Sequence, residues 1–156
     1  NGPVIFPDHL SFLSPADMPT AIAEYCQSTG QQAPQGPAAM TRCILESLAL
    51  IYREDLQKLS GMLGRRFDAV HVVGGGSQNA LLCQFTADAS GTPVVAGPVE
   101  AAVAGNILVQ ALATGDVASA QDIREVVRDS NEMVRYEPKD KAAWDAKFET
   151  YTGLQR

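Results

Sequence analysis

The sequence predicts an α/β fold, and three stretches carry that prediction. Residues 71–79, HVVGGGSQN, run from β-branched residues through three consecutive glycines into Ser77, Gln78 and Asn79, residue types that start helices, so a strand, a bare turn and a helix follow one another. A second strand from Thr92 to Ala96 and a second helix from about Glu100 to Thr114, hinged on Gly97-Pro98, complete a βαβα unit. Ahead of both, Pro37 to Leu63 carries one broad apolar stripe at helical spacing.

The first ten residues read as a loop ending. Phe6, Leu10, Phe12 and Leu13 are sizeable apolar groups in a proline-bearing segment with nothing upstream to pack on, which suggests a piece of a longer protein. Ser14 then offers an N-cap and Pro15 a first helical position, so the first helix is expected from about Pro15 to Ser28, with Met18, Ile22, Tyr25 and Cys26 on one face. Gly30 stops it, and the polar stretch from Gln31 to Pro37 is a linker. The long helix follows, its stripe made by Met40, Ile44, Leu45, Leu48, Ile51, Tyr52, Leu56, Leu59 and Leu63, and Gly61 and Gly64 close it. Phe67 to Val73 reads as a short buried strand, and Ser77 to Ala89 as a helix turning Leu81, Leu82, Phe85 and Ala89 inward. After the βαβα unit, Ser119 to Arg128 is a short helix opened by Ser119, Val134 to Pro138 an extended connector, and Asp140 to Thr150 a terminal helix laying Trp144, Phe148 and Tyr151 on the body. A strand–helix–strand unit favours a parallel pair with ligands at the carboxyl ends of its strands, where Gly74-Gly75-Gly76 and Gly97-Pro98 fall.

Composition narrows the function classes. With 156 residues and 46% hydrophobic content the chain can bury one ordinary core. A net charge of −6 argues against a nucleic-acid partner, because a phosphate backbone needs a basic face. No apolar run approaches the ~18 residues of a membrane span, and the N-terminal residues lack the pattern of a secretory leader, so a cytoplasmic protein with no membrane partner is expected. Cys26, Cys43 and Cys83 have no CxxC spacing and predict neither a zinc site nor a disulfide framework. Reduced, buried thiols are expected, although Cys26 and Cys43 flank the linker and could face one another across a helix pair, close enough for a disulfide.

The glycine run is the candidate site. Glycines let a ligand approach the backbone closely, and the free N–H groups of the following helix supply donors and partial positive charge, so a nucleotide is the leading ligand class. The spacing matches neither GxxxxGK[ST] nor GxGxxG, whose third glycine is replaced by Asn79, and a purely structural turn is the competing reading. The titratable residues nearby read as structural: Glu46 as a paired carboxylate at the edge of the long helix's stripe, Asp88 as a helix-face hydrogen-bonding group, Glu100 as a carboxylate facing a helix macrodipole, and His71 as a core or edge residue. His9 lies in the irregular N-terminal segment and carries no reading. No cluster of His, Cys and Asp predicts an intrinsic metal site.

The run MTRCILESLALIYREDLQKL followed by HVVGGGSQNALLCQFTADASGTPVVAGPVEAAVAGNILVQALATGD resembles the C-terminal portion of the FGGY carbohydrate kinases, and FLSPADMPTAIAEYCQSTGQ upstream resembles the rhamnulose-specific branch of that family. The resemblance covers about Phe12 to Gly115; Val103-Ala104 departs from the small or hydroxylated pair that often follows PVEA. It implies that residues 1–156 are the C-terminal portion of the second of two actin-like ATPase (RNase H-like) domains, with the N-terminal domain absent and the active site in the cleft between the domains. It further implies that Gly75 lies against ATP and that Asn79 reaches the adenosine moiety, with Gly74, Gly76, Ser77 and Gln78 in support.

The implied reaction is ATP-dependent phosphorylation of a ketose, L-rhamnulose to L-rhamnulose 1-phosphate, with Mg2+ arriving on the nucleotide. The family's phosphate-binding loop, sugar contacts and catalytic aspartate precede the matching segment, so no catalytic residue is assigned, the sugar is expected to bind mainly upstream, and this chain alone is expected to be inactive. A kinase for xylulose, ribulose or glycerol, and a non-catalytic α/β binding module, are the alternatives. An uncovered sheet edge and apolar surface would favour a homodimer.

Overall fold

The computed structural model describes residues 2–155. Six helices and three short strands follow in the order α1 (Met18–Ser28), α2 (Gly36–Leu63), β1 (Val70–Val72), α3 (Ala80–Ser90), β2 (Val94–Ala96), α4 (Ala101–Thr114), α5 (Ala120–Asp129), β3 (Val134–Tyr136) and α6 (Lys141–Gly153), with 3-10 turns at Leu10–Phe12 and Gly74–Gln78. The strands form one sheet in the order β1-β2-β3. β1 and β2 run parallel, Val70 opposite Val94, as the βαβ reading requires. The expected connector at Val134–Pro138 is instead a paired strand: β3 runs antiparallel to β2, Val95 opposite Arg135. A three-residue strand has too few alternating positions to announce itself in sequence.

Three apolar clusters hold the elements together. Val70 and Val72 turn one sheet face onto Cys83 and Ala87 of α3, with Val94, Ala96 and Tyr136 beside them. Behind α3, Ala49 and Leu50 of α2 meet Phe85, Ala89, Trp144 and Tyr151, so the terminal helix does lay aromatics on the body, with the Phe85 and Trp144 rings 5.3 Å apart. The third cluster joins Ile22, Tyr25 and Cys26 of α1 to Cys43. Cys26 and Cys43 thus face one another, as free buried thiols rather than a disulfide. Burial raises both thiols, Cys43 to about 12 with Cys26 beside it as the next cause.

Several expectations shift. α1 starts at Met18, capped by Asp17, whose Oδ2 accepts from the Thr20 amide at 2.9 Å, and Pro19 rather than Pro15 sits in its first turn. In α2 the inward face is Cys43, Glu46, Ser47, Ala49 and Leu50, a set displaced from the large-residue stripe, and Tyr52, Leu59 and Leu63 are exposed. Small side chains let α2 and α3 approach closely, and the large residues of the stripe fall to the flanks. Leu10 and Leu13 are exposed, whereas Val4 and Ile5, unremarked in the sequence, are core residues. The Ile5 amide donates to Ser47 Oγ and the Val4 backbone pairs with the Gln31 side chain, so the N-terminal segment is pinned to α2 and the linker.

β1 is shorter and less covered than expected: His71 is exposed on its second face and Val73 beyond it is 53% exposed. α4 buries none of its residues and exposes Val103, Ile107 and Val109. Among the described residues no helix is long and apolar enough to cross a membrane.

Candidate functional site at the glycine turn

The turn after β1 is held from two sides. Gly74 leaves the strand at φ +76°, a left-handed conformation that favours glycine, and its amide donates to Pro98 O at 3.0 Å. The Gly97 amide donates to Val72 O at 2.8 Å, so the loops following both parallel strands are sewn together. A Cβ on Gly97 would lie 3.2 Å from Val73 Cγ1, so a side chain there would have to push Val73 aside by a few tenths of an ångström. The expected ligand position at the carboxyl ends of the two parallel strands already includes Gly97-Pro98, and the structure adds the hydrogen bonds that tie this pair to the glycine turn.

Between these ties the chain makes a 3-10 turn, Gly74–Gln78, where a helix from Ser77 was expected. The Ser77 hydroxyl donates to Gly74 O at 2.7 Å and closes the turn. Below it the Cys83 thiol, raised by burial and hence protonated, donates weakly to Gly76 O at 3.8 Å. α3 begins at Ala80 because Asn79 is its N-cap: Oδ1 accepts from the Leu82 amide at 3.0 Å. Asn79 Oδ1 thus spends a lone pair on the helix, which leaves the Nδ2 amide as the donor Asn79 can offer a ligand. The sequence pattern also turned Leu81 inward; it is 46% exposed, and Cys83, Ala87 and Phe85 fill the inward face with Ala89.

Gly75 and Gly76 both differ from Gly74, and Gly75 is the more open of the two. Neither has a left-handed φ, and a Cβ built on Gly75 would meet nothing within 4 Å. A Cβ on Gly76 would make only an ordinary contact, 3.7 Å from Val72 Cγ1. Neither backbone conformation nor packing demands glycine at 75. Gly75, Gly76 and Gln78 are exposed, Gly74, Ser77 and Asn79 half-buried, so the six residues form one open shelf with the first free amides of α3 at its edge.

Two of the three carboxylates set aside as structural are tied into contacts away from the turn. Glu46, 1% exposed, accepts from Arg42 Nε at 2.8 Å and from Lys147 Nζ. Asp88 accepts from the Gln84 side chain and the Lys139 amide, each at 2.8 Å, near the far end of α3 and about 14 Å along the helix from Asn79. Glu100 stands at the N-cap of α4 without a side-chain cap bond, which leaves it only the dipole contribution. His9 bonds Ser11 beside the Leu10–Phe12 turn. Among the described residues no group of three or more His, Cys, Asp or Glu side chains could hold a metal ion.

Residues 1–114 match the family model described as the FGGY family of carbohydrate kinases, C-terminal domain. The chain is 47% identical over 145 residues to a rhamnulokinase of Bacteroides thetaiotaomicron, covering 93% of this chain and 30% of that protein. A rhamnulokinase of Enterobacter sp. is 44% identical, covering 86% of this chain and 28% of the relative, and one of Klebsiella pneumoniae is 43% identical, covering 81% and 26%. The chain thus spans less than a third of the length of these relatives. A strand, glycine turn and capped helix in this order, together with a match over most of the chain, place it in a family: it belongs to the FGGY carbohydrate kinases, and the matched region is their C-terminal domain.

Proposed function

We propose that this chain supplies the nucleotide-holding shelf of an ATP-dependent ketose kinase, and that the whole protein phosphorylates L-rhamnulose to L-rhamnulose 1-phosphate. The observation that carries the nucleotide part is Gly75, a glycine that neither backbone nor neighbours require and that lies exposed beside the start of α3. A ligand pressed against the backbone gives that position a reason to lack a side chain. The choice of sugar rests on relatives named rhamnulokinase at 43% to 47% identity.

In this reading Gly74 sets the turn, Gly75 and Gly76 leave the surface bare, Ser77 holds the turn closed, and Gln78 borders the shelf. Asn79 directs Nδ2 toward the adenosine while Oδ1 keeps α3 capped. ATP, carrying Mg2+, supplies the phosphoryl group when bound. The part played by these residues is to hold and orient one end of the nucleotide so that transfer becomes a positioned, in-line event. Glu46 and Asp88 are tied into structural contacts away from the turn, so neither is assigned as the base that takes the sugar's proton.

The test is ATP consumption by the full-length reading frame with L-rhamnulose, xylulose, ribulose and glycerol, and with the 156-residue chain as control. Turnover with L-rhamnulose by the long chain alone is expected. Turnover with another of these sugars instead would refute the sugar assignment, and none with any of them would favour a non-catalytic binding module.

A further inference from the structure

A separate cleft of about 430 Å³ opens at the other end of the sheet. Gly74 and Gly97 follow β1 and β2, whereas Phe67 and Pro93, which line this cleft, precede them. The 11 residues of α3, about 16 Å of helix, separate it from Asn79. Its walls carry three cations: Arg53 from α2, Arg66 from the loop between α2 and β1, and Lys141 from the first turn of α6. Gln57, Ser60 and Thr92 add neutral donors, and no carboxylate lines it. That is a marked local bias in a chain with 18 acidic and 12 basic residues.

The nearest counter-charge is shared. Asp145, behind the wall, meets Arg53 Nη2 at 2.7 Å and Lys141 Nζ at 2.6 Å, and these two cations hold its carboxyl below the usual range. Arg53 is fixed further by stacking over the Phe148 ring, 4.1 Å from its centroid. Arg66 has no ion pair among the described residues. One carboxylate therefore answers three cations, and two of the three are held in place before any ligand arrives.

We propose that this cleft binds a small phosphate-bearing anion. Guanidinium groups offer paired N–H donors that match phosphate oxygens, an ammonium adds a point charge, and side-chain hydroxyls complete the remaining acceptors. The volume admits a phosphate monoester as well as the free ion. The proposal does not rest on the kinase reading, because the cleft and the glycine turn share no residue.

The test is calorimetric titration of the full-length protein with inorganic phosphate and, separately, with ribose 5-phosphate, ionic strength being held with potassium chloride. Saturable binding is expected in the wild type and equally in Gly75→Asp, weakened about tenfold or more in Arg66→Ser and in Lys141→Ser. Both substituted side chains are exposed, so these variants keep the fold. Tighter binding of ribose 5-phosphate would make a phosphorylated metabolite the ligand and tighter binding of inorganic phosphate the free ion, either supporting the site. No saturable heat beyond the chloride control, affinity in Arg66→Ser within twofold of wild type, or loss of binding in Gly75→Asp would overturn it.

Discussion

Replacing Gly75 by Asp separates a ligand-driven glycine from a structural one. The new Cβ meets nothing within 4 Å and the backbone is already in an ordinary region, so without ATP the variant should unfold with the wild type. With ATP it should not. A carboxylate about 4 Å from a phosphate is repelled by ~4 kcal/mol at an effective dielectric constant of about 20 and by ~1 kcal/mol in bulk water. The shelf is exposed, so about 2 kcal/mol is the working value, roughly a 30-fold loss of affinity. At ATP one hundred times the wild-type Kd, binding stabilises the wild type by about 2.7 kcal/mol, and the variant by only about 0.9 kcal/mol. Thermal unfolding of the full-length protein with and without ATP reads this difference directly, and Gly75→Ala, which adds bulk without charge, should fall between. An undiminished ATP-induced shift in Gly75→Asp would refute the assignment, and a large loss of stability without ATP would show that the turn itself requires glycine there.

Asn79 divides in the same manner between fold and ligand. Asn79→Ala should lose the cap and destabilise by about 1 kcal/mol, whereas Asn79→Asp keeps the Oδ1 acceptor and should hold the urea midpoint while losing ATP affinity with the Nδ2 donor; equal ATP affinity in Asn79→Asp and wild type would remove Asn79 from the site. Lys147→Met leaves Glu46 buried with only the exposed Arg42 beside it and should cost about 3 kcal/mol in urea unfolding, against less than about 1 kcal/mol for Arg42→Ala. The reverse order of the two variants would contradict the buried pair. The Cys43 thiol, pushed up to about 12 by burial and by Cys26, should resist iodoacetamide at pH 8 far better in the native than in the unfolded protein. Because its folded pKa lies above the unfolded value, the stability linked to its proton is intact below about pH 8.5, and it should drain away as pH rises toward 12. Rapid native labelling at pH 8 would show that the α1–α2 contact opens readily.

What could be read from the residues, and what could not, follows the range over which each feature is decided. The two loops at the strand ends, the parallel pairing and the Ser119 cap were legible because turn chemistry is local: three glycines after β-branched residues leave few backbone choices. The start of α3 was misplaced by three residues because Ser77 and Asn79 are both good caps, and the ties from Gly74 to Pro98 and from Gly97 to Val72 select between them. The inward face of α2 was misread for a similar reason. A stripe of large apolar side chains marks what must leave water, but the closest helix contact goes to the side that allows approach, through Cys43, Ser47 and Ala49.

The sequence by itself determined the order of strand, glycine turn and helix, the family, and the position of the open shelf, since those reside in backbone preferences and in the ordered motifs that carry the match. Only the tertiary structure decided that Gly74 is the glycine of the run its backbone needs while Gly75 and Gly76 are not, that Val134–Tyr136 pairs with β2, that Glu46 is closed off by Lys147, and that Arg53, Arg66 and Lys141 share one cleft. Those three cations come from α2, the loop after it and the start of α6. No local rule brings residues 53, 66 and 141 together; the packing of α6 against α2 and α3 does.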